Sequence, residues 1–249
     1  MQYYSITFLF LLLSSFFCFA DTELAVDDIQ IKVVTEDSFP IQFLDQGEIV
    51  GSSTTFVKQV LDAAKVSYDI EMLPWARAYY MALNEPNVLI YSLAKTKKRS
   101  DSFKWVGELM TLDYYLYGMV DSQVNEKSSL DDLKQFRIGA VRDSAVYQYL
   151  HSQGFKNLTV VVHGLQGVQL VQANRIDLFP SNKSTFQAIC HKEGLDCEHF
   201  KPVYKLNMPV TKLFMAFSQS TDDAIVEKVR AGYNQVNAKR NNLTNIVID

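Results

Sequence analysis

The sequence predicts an α/β fold in two lobes, each built on a mostly parallel sheet flanked by helices. Strand-like apolar runs alternate with amphipathic helix-like segments over residues 29–93, and the same alternation returns over residues 137–189. An aromatic extended run, 112–120, separates these units, and a strand-like run at 212–217 follows the second one. This order indicates that the second unit is inserted into the first by two chain crossings. A cleft between such lobes is a common place for a small ligand.

The first unit predicts three strands separated by two helices. Its strands are short apolar runs, and its helices repeat apolar residues at helical spacing. Ser52 to Thr54 offer N-caps for the first helix, and Pro74 suits the first turn of the second. The predicted order is strand 29–34, a helix from 52, strand 66–72, helix 74–83 and strand 88–93.

The second unit follows the same logic. Ser129 to Asp132 fits a capping box, and Asp143 with Ser144 fits a helix start. The predicted order is strand 137–141, helix 145–153, strand 158–162, helix 165–173, strand 176–179 and helix 182–189, then strand 212–217 and helix 222–238. We therefore predict lobe 1 from residues 28–113 and 210–240, lobe 2 from 120–200, and hinge crossings at 114–119 and 201–209.

The N-terminus predicts export. Residues 6–20 are apolar, too short for a comfortable membrane span, and are followed by polar, acidic Asp21. Cys18–Ala20 resembles a cleavage site, so we interpret residues 1–20 as a secretory signal peptide. An uncleaved anchor is the alternative, because the first four residues lack Lys and Arg.

Composition and cysteine content narrow the function classes. A net charge of −4 argues against nucleic-acid binding. Beyond the signal peptide only Cys190 and Cys197 remain, and an even pair in an exported chain predicts a disulfide, with two free thiols as the alternative. The histidines form no recognisable metal or catalytic motif, so we expect no metal, no cofactor and no catalytic residue.

Three residues at predicted element ends mark a candidate site. Trp75, Arg77 and Arg99 fall at one edge of the first sheet, where open α/β folds bind ligands. Arginine forks match carboxylates, which favours a small anionic or zwitterionic ligand. The structural alternatives are packing for Trp75, a surface helix position for Arg77, and a solvated basic loop for Arg99.

Taken together, these segments resemble the family 3 periplasmic solute-binding proteins, whose best-known members bind polar amino acids for import. The resemblance covers about residues 29–237. It depends on the order of five segments: Phe39-Pro40 followed by Gly51, Leu73–Ala78, Ser92–Arg99, Arg137–Ser144 and Arg175–Asn182.

The resemblance implies a two-lobe periplasmic binding protein fold of type II, and roles for particular residues. Arg99 would grip a ligand carboxylate, and the backbone N–H groups of Ser144 and Ala145 would complete that grip. Asn182 stands where amino-acid binders commonly place an aspartate for the ligand ammonium. The remaining candidate ligand-binding residues are Phe39, Trp75, Arg77, Tyr91 and Ser92.

The function implied by the resemblance is capture of a small polar carboxylate, either an amino acid or a related organic acid, by hinge closure in the periplasm. Delivery would be to an ABC-type importer, and we expect a monomer that is not an enzyme. The alternatives are a sensor acting on a membrane receptor and, on the same fold, a cyclohexadienyl-type dehydratase.

Overall fold

The computed structural model describes residues 30–124, 128–209 and 212–246, so the predicted signal peptide lies outside the described residues. The first sheet has five strands in the order β4-β1-β5-β12-β6. Its strands are β1 (Gln30–Thr35), β4 (Ser67–Met72), β5 (Val88–Ala94), β6 (Phe103–Thr111) and β12 (Lys212–Ser218). The pairs β1–β4 and β1–β5 are parallel, whereas β12 pairs antiparallel with both β5 and β6.

Helices cover both faces of this sheet, which explains its apolar centre. Helices α1 (Ser52–Ala63) and α6 (Asp223–Ile246) cover one face, and α2 (Trp75–Asn84) covers the other. All seven residues of β5 are buried, as expected of a central strand covered on both sides. A short hairpin, β2 (Phe43–Asp45) and β3 (Glu48–Val50), lies between β1 and α1.

The second half of the fold lies between residues 115 and 205. An antiparallel sheet has the order β10-β7-β11, with β7 (Tyr115–Met119), β10 (Phe179–Ser181) and β11 (Phe200–Lys205). Strands β8 (Ile138–Val141) and β9 (Leu158–Val161) pair in parallel, and a bridge from Ile138 to Leu178 connects β8 to the chain just before β10. The helices are α3 (Ala145–Ser152), α4 (Gly164–Gln172) and α5 (Lys183–Glu193).

Two connections join the halves, and they contact each other. Lys205 Nζ lies 2.9 Å from Asp113 Oδ2, and Leu206 N–H donates to the Tyr114 carbonyl. Much of the predicted crossings 114–119 and 201–209 forms strands β7 and β11, and the lobe and hinge bounds themselves stay predictions.

Most predicted elements are present within a few residues, with three differences. The β2–β3 hairpin and strand β11 were not predicted, and residues 103–111, which we did not assign, form strand β6. The capping box at Ser129 is confirmed, because Ser129 N–H and Oγ both contact Asp132 Oδ2, but the segment it begins is a short 3-10 turn, Asp132–Gln135. Cys190 and Cys197 form a disulfide with 5.6 Å between their Cα atoms, as predicted.

Candidate functional site

A cavity of about 290 Å³ lies between the two halves of the fold. Its size is at the small end of ligand pockets, which suits a small metabolite. Both halves supply its walls. The residues that line it include Glu36, Asp37, Ser38, Phe39, Tyr114, Ser144, His163, Ser181, Asn182, Thr185, Lys192 and Glu193.

Glu36 is the most perturbed acidic group at this cavity. It follows β1 directly, at the carboxyl edge of the first sheet, where ligands of α/β folds commonly bind. Burial raises the pKa of Glu36 to about 8, although nearby Arg99 lowers it. In this conformation Glu36 is therefore mostly protonated at neutral pH.

Arg99 is completely buried at the boundary between the halves, and like Tyr91 and Ser92 it lines neither cavity in this conformation. Its Nη2 donates to the Asp143 carbonyl at 2.6 Å, and its Nη1 lies 3.3 Å from the Ala94 carbonyl. The guanidinium carbon lies 4.8 Å from the ring centre of Tyr79 and 5.3 Å from that of Trp75, within cation–π range. Burial lowers the pKa of Arg99, while Tyr79, Glu36 and Asp143 act in the opposite direction. The solvated basic loop is thus wrong for Arg99, although neighbouring Lys97 and Lys98 are exposed.

Trp75 and Arg77 are separated by the geometry of α2. Trp75 is 4% exposed, stacks on Tyr79, and lines a second cavity that adjoins the first. Arg77 is exposed. Residues two apart on a helix do not face the same side. Arg77 lines neither cavity, so the structure does not bring it to the site, as the surface-helix alternative has it.

Ser144 reaches the first cavity, but its N–H group is already engaged. Ser144 N–H donates to the Val141 carbonyl, and Ser144 Oγ accepts from Tyr147 N–H as the N-cap of α3. This departs from the prediction that the Ser144 N–H grips the ligand. Ala145 opens the helix and packs against an apolar cluster of the first half, Ile41, Ala94 and Leu213.

Asn182 also lines the first cavity, and its amide caps helix α5. Asn182 Oδ1 accepts from Thr185 N–H at 2.9 Å and from Ser184 Oγ at 2.7 Å, while Nδ2 donates to Thr185 Oγ1 at 2.8 Å. These bonds occupy much of its hydrogen-bonding capacity. Phe39 lies in the wall as predicted, where Lys192 Nζ stands 4.5 Å from its ring centre.

Tyr91 and Ser92 are placed away from the cavity walls. Tyr91 is fully buried in the core of the first sheet, and its hydroxyl lies 2.8 Å from Thr54 Oγ1. Ser92 has a positive φ of 59° and donates to Gln42 Oε1 at 2.9 Å, bracing the loop that carries Phe39. Neither residue lines the two cavities, so the expected apolar wall at Tyr91 is a core contact instead.

Several cavity residues were not predicted, among them Glu36, Tyr114, His163 and Lys192. Glu36 had a usable signal, since it follows a predicted strand at the same sheet edge as Arg99. His163 caps helix α4, with its Nδ1 accepting from Gln166 N–H at 3.2 Å. That bond requires the proton of a neutral ring to sit on Nε2, which makes Nε2 a donor.

Within 30–124, 128–209 and 212–246, no group of three or more His, Cys, Asp and Glu side chains is arranged to hold a metal ion. Over the same ranges, no helix combines the length and apolar character needed to span a bilayer.

Comparisons with known proteins give the fold. No protein-family model matches the sequence, and no curated protein matches it. Among solved structures, a histidine kinase sensor domain with similarity to periplasmic binding proteins has a TM-score of 0.72 at 17% identity, covering 84% of this chain and 95% of that one. The arginine-, lysine-, histidine-binding protein ArtJ from Geobacillus stearothermophilus also has a TM-score of 0.72, at 13% identity and with 85% and 90% covered.

A third solved structure is the substrate-binding protein of an amino acid ABC transporter. It has a TM-score of 0.70 at 15% identity, covering 84% of this chain and 94% of that one. All three are binding or sensing proteins. The chain has the two-lobe fold of periplasmic binding proteins, as its sequence predicts.

Proposed function

We propose that this protein is a periplasmic solute-binding protein that captures a small polar carboxylate by hinge closure. An amino acid is favoured over a non-amino organic acid, and delivery is to an ABC-type importer. The similarity to ArtJ and to the substrate-binding protein of an amino acid ABC transporter supports this proposal.

The buried Arg99 guanidinium is the observation that carries the proposal. A buried cation is costly unless an anion compensates it. Glu36, the half-buried carboxyl beside Arg99, is largely protonated at neutral pH, because its pKa is raised to about 8. The backbone carbonyls of Ala94 and Asp143 supply only partial negative charge. Arg99 is fully buried and lines neither cavity in this conformation, so a ligand carboxylate that enters when the cleft opens would supply the missing counter-charge through charge-assisted hydrogen bonds.

The cavity walls favour a cationic group elsewhere on the ligand. Asp37 and Glu193 line the first cavity, and Glu36 is a carboxyl that a nearby ammonium would help to ionise, against the single lysine Lys192. Asn182 is a neutral group occupied with capping helix α5. A ligand ammonium would therefore bind to the side chains of Glu36 and Asp37, in the loop after β1. This arrangement makes a zwitterionic ligand the better match.

The first experiment identifies the ligand directly. Mass spectrometry of small molecules released from freshly purified protein should reveal an amino acid, and a thermal-shift panel of free and N-acetylated amino acids should show a preference for the free ammonium. Equal thermal shifts with the free and the N-acetylated amino acids would contradict recognition of the ligand ammonium by the protein. A response to no carboxylate at all would contradict the proposed function.

A pair of variants in one loop tests Arg99. Because charge-assisted hydrogen bonds contribute roughly 1.5 to 3 kcal/mol each, Arg99→Ala should weaken binding of the identified ligand by well over tenfold. Lys98→Ala is the matched control, because Lys98 is exposed in the same loop, and it should change affinity little. Similar small effects from both variants would refute the role of Arg99.

A sensor is the second candidate, because one similar structure is a histidine kinase sensor domain. A ligand-closed binding protein can present its shape to a receptor as readily as to a permease. Uptake of labelled ligand by the native host, with and without this gene, separates the two. Unchanged uptake with a lost transcriptional response would favour the sensor.

The dehydratase alternative draws on Glu36. A carboxyl with a raised pKa in a cleft has the protonation state that a general acid needs. Incubation with cyclohexadienyl acids would test it, since turnover that Glu36→Gln abolishes would move the assignment to an enzyme. We favour binding because the similar structures described above are binding or sensing proteins.

A further inference from the structure

The second cavity, of about 460 Å³, shares part of its wall with the first. Glu36, Asp37 and His163 line both cavities, so the two form neighbouring chambers of one cleft. The remaining walls of the second chamber come from the β2–β3 hairpin, the connection from β4 to α2, and the turn after β9. Like the first chamber, it therefore receives residues from both halves of the fold.

The two chambers differ in chemistry. The first presents serines, a threonine, an asparagine and several charged groups beside apolar residues, namely Phe39, Val141, Val146, Leu165, Pro180 and Ile189. The second is walled mainly by apolar side chains: Leu44, Ile49, Ile70, Met72, Leu73, Trp75 and Val162. Two of these are unusually exposed for their type, Leu44 at 53% and Val162 at 55%, and they come from opposite halves of the fold. Apolar surface of this kind is stabilised when an apolar group covers it.

Trp75 in the wall of the second chamber carries an unpaired polar group. Trp75 is 4% exposed, yet its indole N–H finds no acceptor within the described residues. An unpaired buried donor is costly, and such groups in native structures commonly contact a ligand or water. At the boundary between the chambers, His163 offers its Nε2–H, because Nδ1 is engaged in capping α4.

We infer that the ligand is amphipathic, with its polar head in the first chamber and an apolar arm in the second. This inference rests on the proposed function and names the class of ligand: an amino acid whose side chain carries several apolar carbons. The head lies in the first chamber beside Glu36, with its carboxylate directed to Arg99, which itself lines neither chamber. The arm lies between Leu44 and Val162 and is enclosed when the halves close on it.

The experiment varies the length of the ligand's apolar side chain and measures the binding affinity. L-alanine, L-norvaline and L-2-aminooctanoate share one head group and differ only in their apolar arms. Each methylene removed from water strengthens binding by up to about fourfold. We expect the affinity measured by titration calorimetry to rise at least about tenfold from L-alanine to L-2-aminooctanoate.

Two exposed valines two residues apart provide a matched pair of variants. Val162→Asp and Leu44→Asp place a charge in the wall of the second chamber and should abolish the gain with chain length. Val160→Asp alters an exposed valine on β9 that lines neither chamber, and it should keep the gain. All three positions are exposed, and circular dichroism checks that each variant is folded.

The possible outcomes distinguish failure of the apolar subsite from failure of the proposed solute-binding function. A chain-length gain that is lost in Val162→Asp and Leu44→Asp, but kept in Val160→Asp, supports the apolar subsite. Binding of polar amino acids without any gain along the series overturns the subsite and leaves the solute-binding function standing. A gain that survives in both chamber variants also overturns the subsite. Binding of no amino acid, polar or apolar, overturns both.

Discussion

Removal of the Glu36 carboxyl should change how stability depends on pH. Burial raises the pKa of Glu36 from its ordinary 4.5 to about 8 in the folded protein. Between these values the unfolded chain has lost the proton that the folded protein still holds, so stability falls as the pH rises. Below about pH 4.5 Glu36 is protonated in both the folded and the unfolded chain and does not lower stability. The free energy of unfolding falls progressively from there up to about pH 8. Glu36→Gln has no proton to lose and should not show this fall.

The expected magnitude follows from the size of the shift. Each pH unit in this window costs about 1.4 kcal/mol, so the change from pH 5 to 7.5 is on the order of 3 kcal/mol. This value is an upper bound, because opening of the cleft would rehydrate Glu36 before the chain unfolds. For a protein of this size, 3 kcal/mol corresponds to a difference in Tm of roughly 6 to 12 °C.

Calorimetric scans of wild type and Glu36→Gln at several pH values measure the effect. The quantity of interest is the difference in Tm between the two proteins, since the titration of other groups cancels in it. Glu193→Gln is the control, because Glu193 lines the same cavity but is exposed, and its profile should parallel that of wild type. Parallel profiles for wild type and Glu36→Gln would refute a Glu36 carboxyl that stays protonated near neutral pH.

Two further predictions concern the framework around the site. Replacing both Cys190 and Cys197 by Ser opens an eight-residue loop and should lower the free energy of unfolding by about 2 to 3 kcal/mol, measured by urea titration of the oxidised wild type against the variant. Gly232→Ala should cost about 1 to 3 kcal/mol, because an added Cβ would lie 2.5 Å from the Val60 carbonyl oxygen where α6 packs on α1. Gly164→Ala is its control, since its nearest contact would be an ordinary 3.8 Å, and a loss in the control equal to that in Gly232→Ala would contradict this packing argument.

The sequence was informative wherever one physical factor dominated. Strand β5 is an apolar run because it is buried on both faces, and a strand of this kind can be predicted from the sequence alone. The β2–β3 hairpin is only three residues per strand and turns at Gln46 and Gly47, both with positive φ, so too few residues alternate to form a pattern. Strand β11 carries Pro202 at an irregularity in its pairing with β7. Because proline within a segment argues against a strand, the sequence did not predict β11.

The site was predicted less completely, for reasons that differ by residue. Arg77 could have been excluded from helix geometry alone, since a residue two positions from buried Trp75 faces another direction. Tyr91 required knowledge of which side of β5 meets α1, and sequence periodicity does not give this for a strand buried on both faces. Glu36 was accessible to the same edge argument that selected Arg99. A lone carboxylate after a strand, however, has no periodic signal to distinguish it.

Arg99 and Glu36 together constrain the ligand more than either does alone. Arg99 is a buried cation beside a carboxyl that is mostly neutral. Glu36 is that carboxyl, and burial is the main reason that it stays neutral. A zwitterion would satisfy both at once, because its carboxylate pairs with Arg99 and its ammonium favours the ionised form of Glu36. Its binding near pH 7 should therefore release up to about one proton, whereas a simple organic acid, which adds negative charge beside Glu36, should release none. Titration calorimetry in buffers of different ionisation enthalpy measures this release, and a zwitterion that binds without it would contradict the pairing with Glu36.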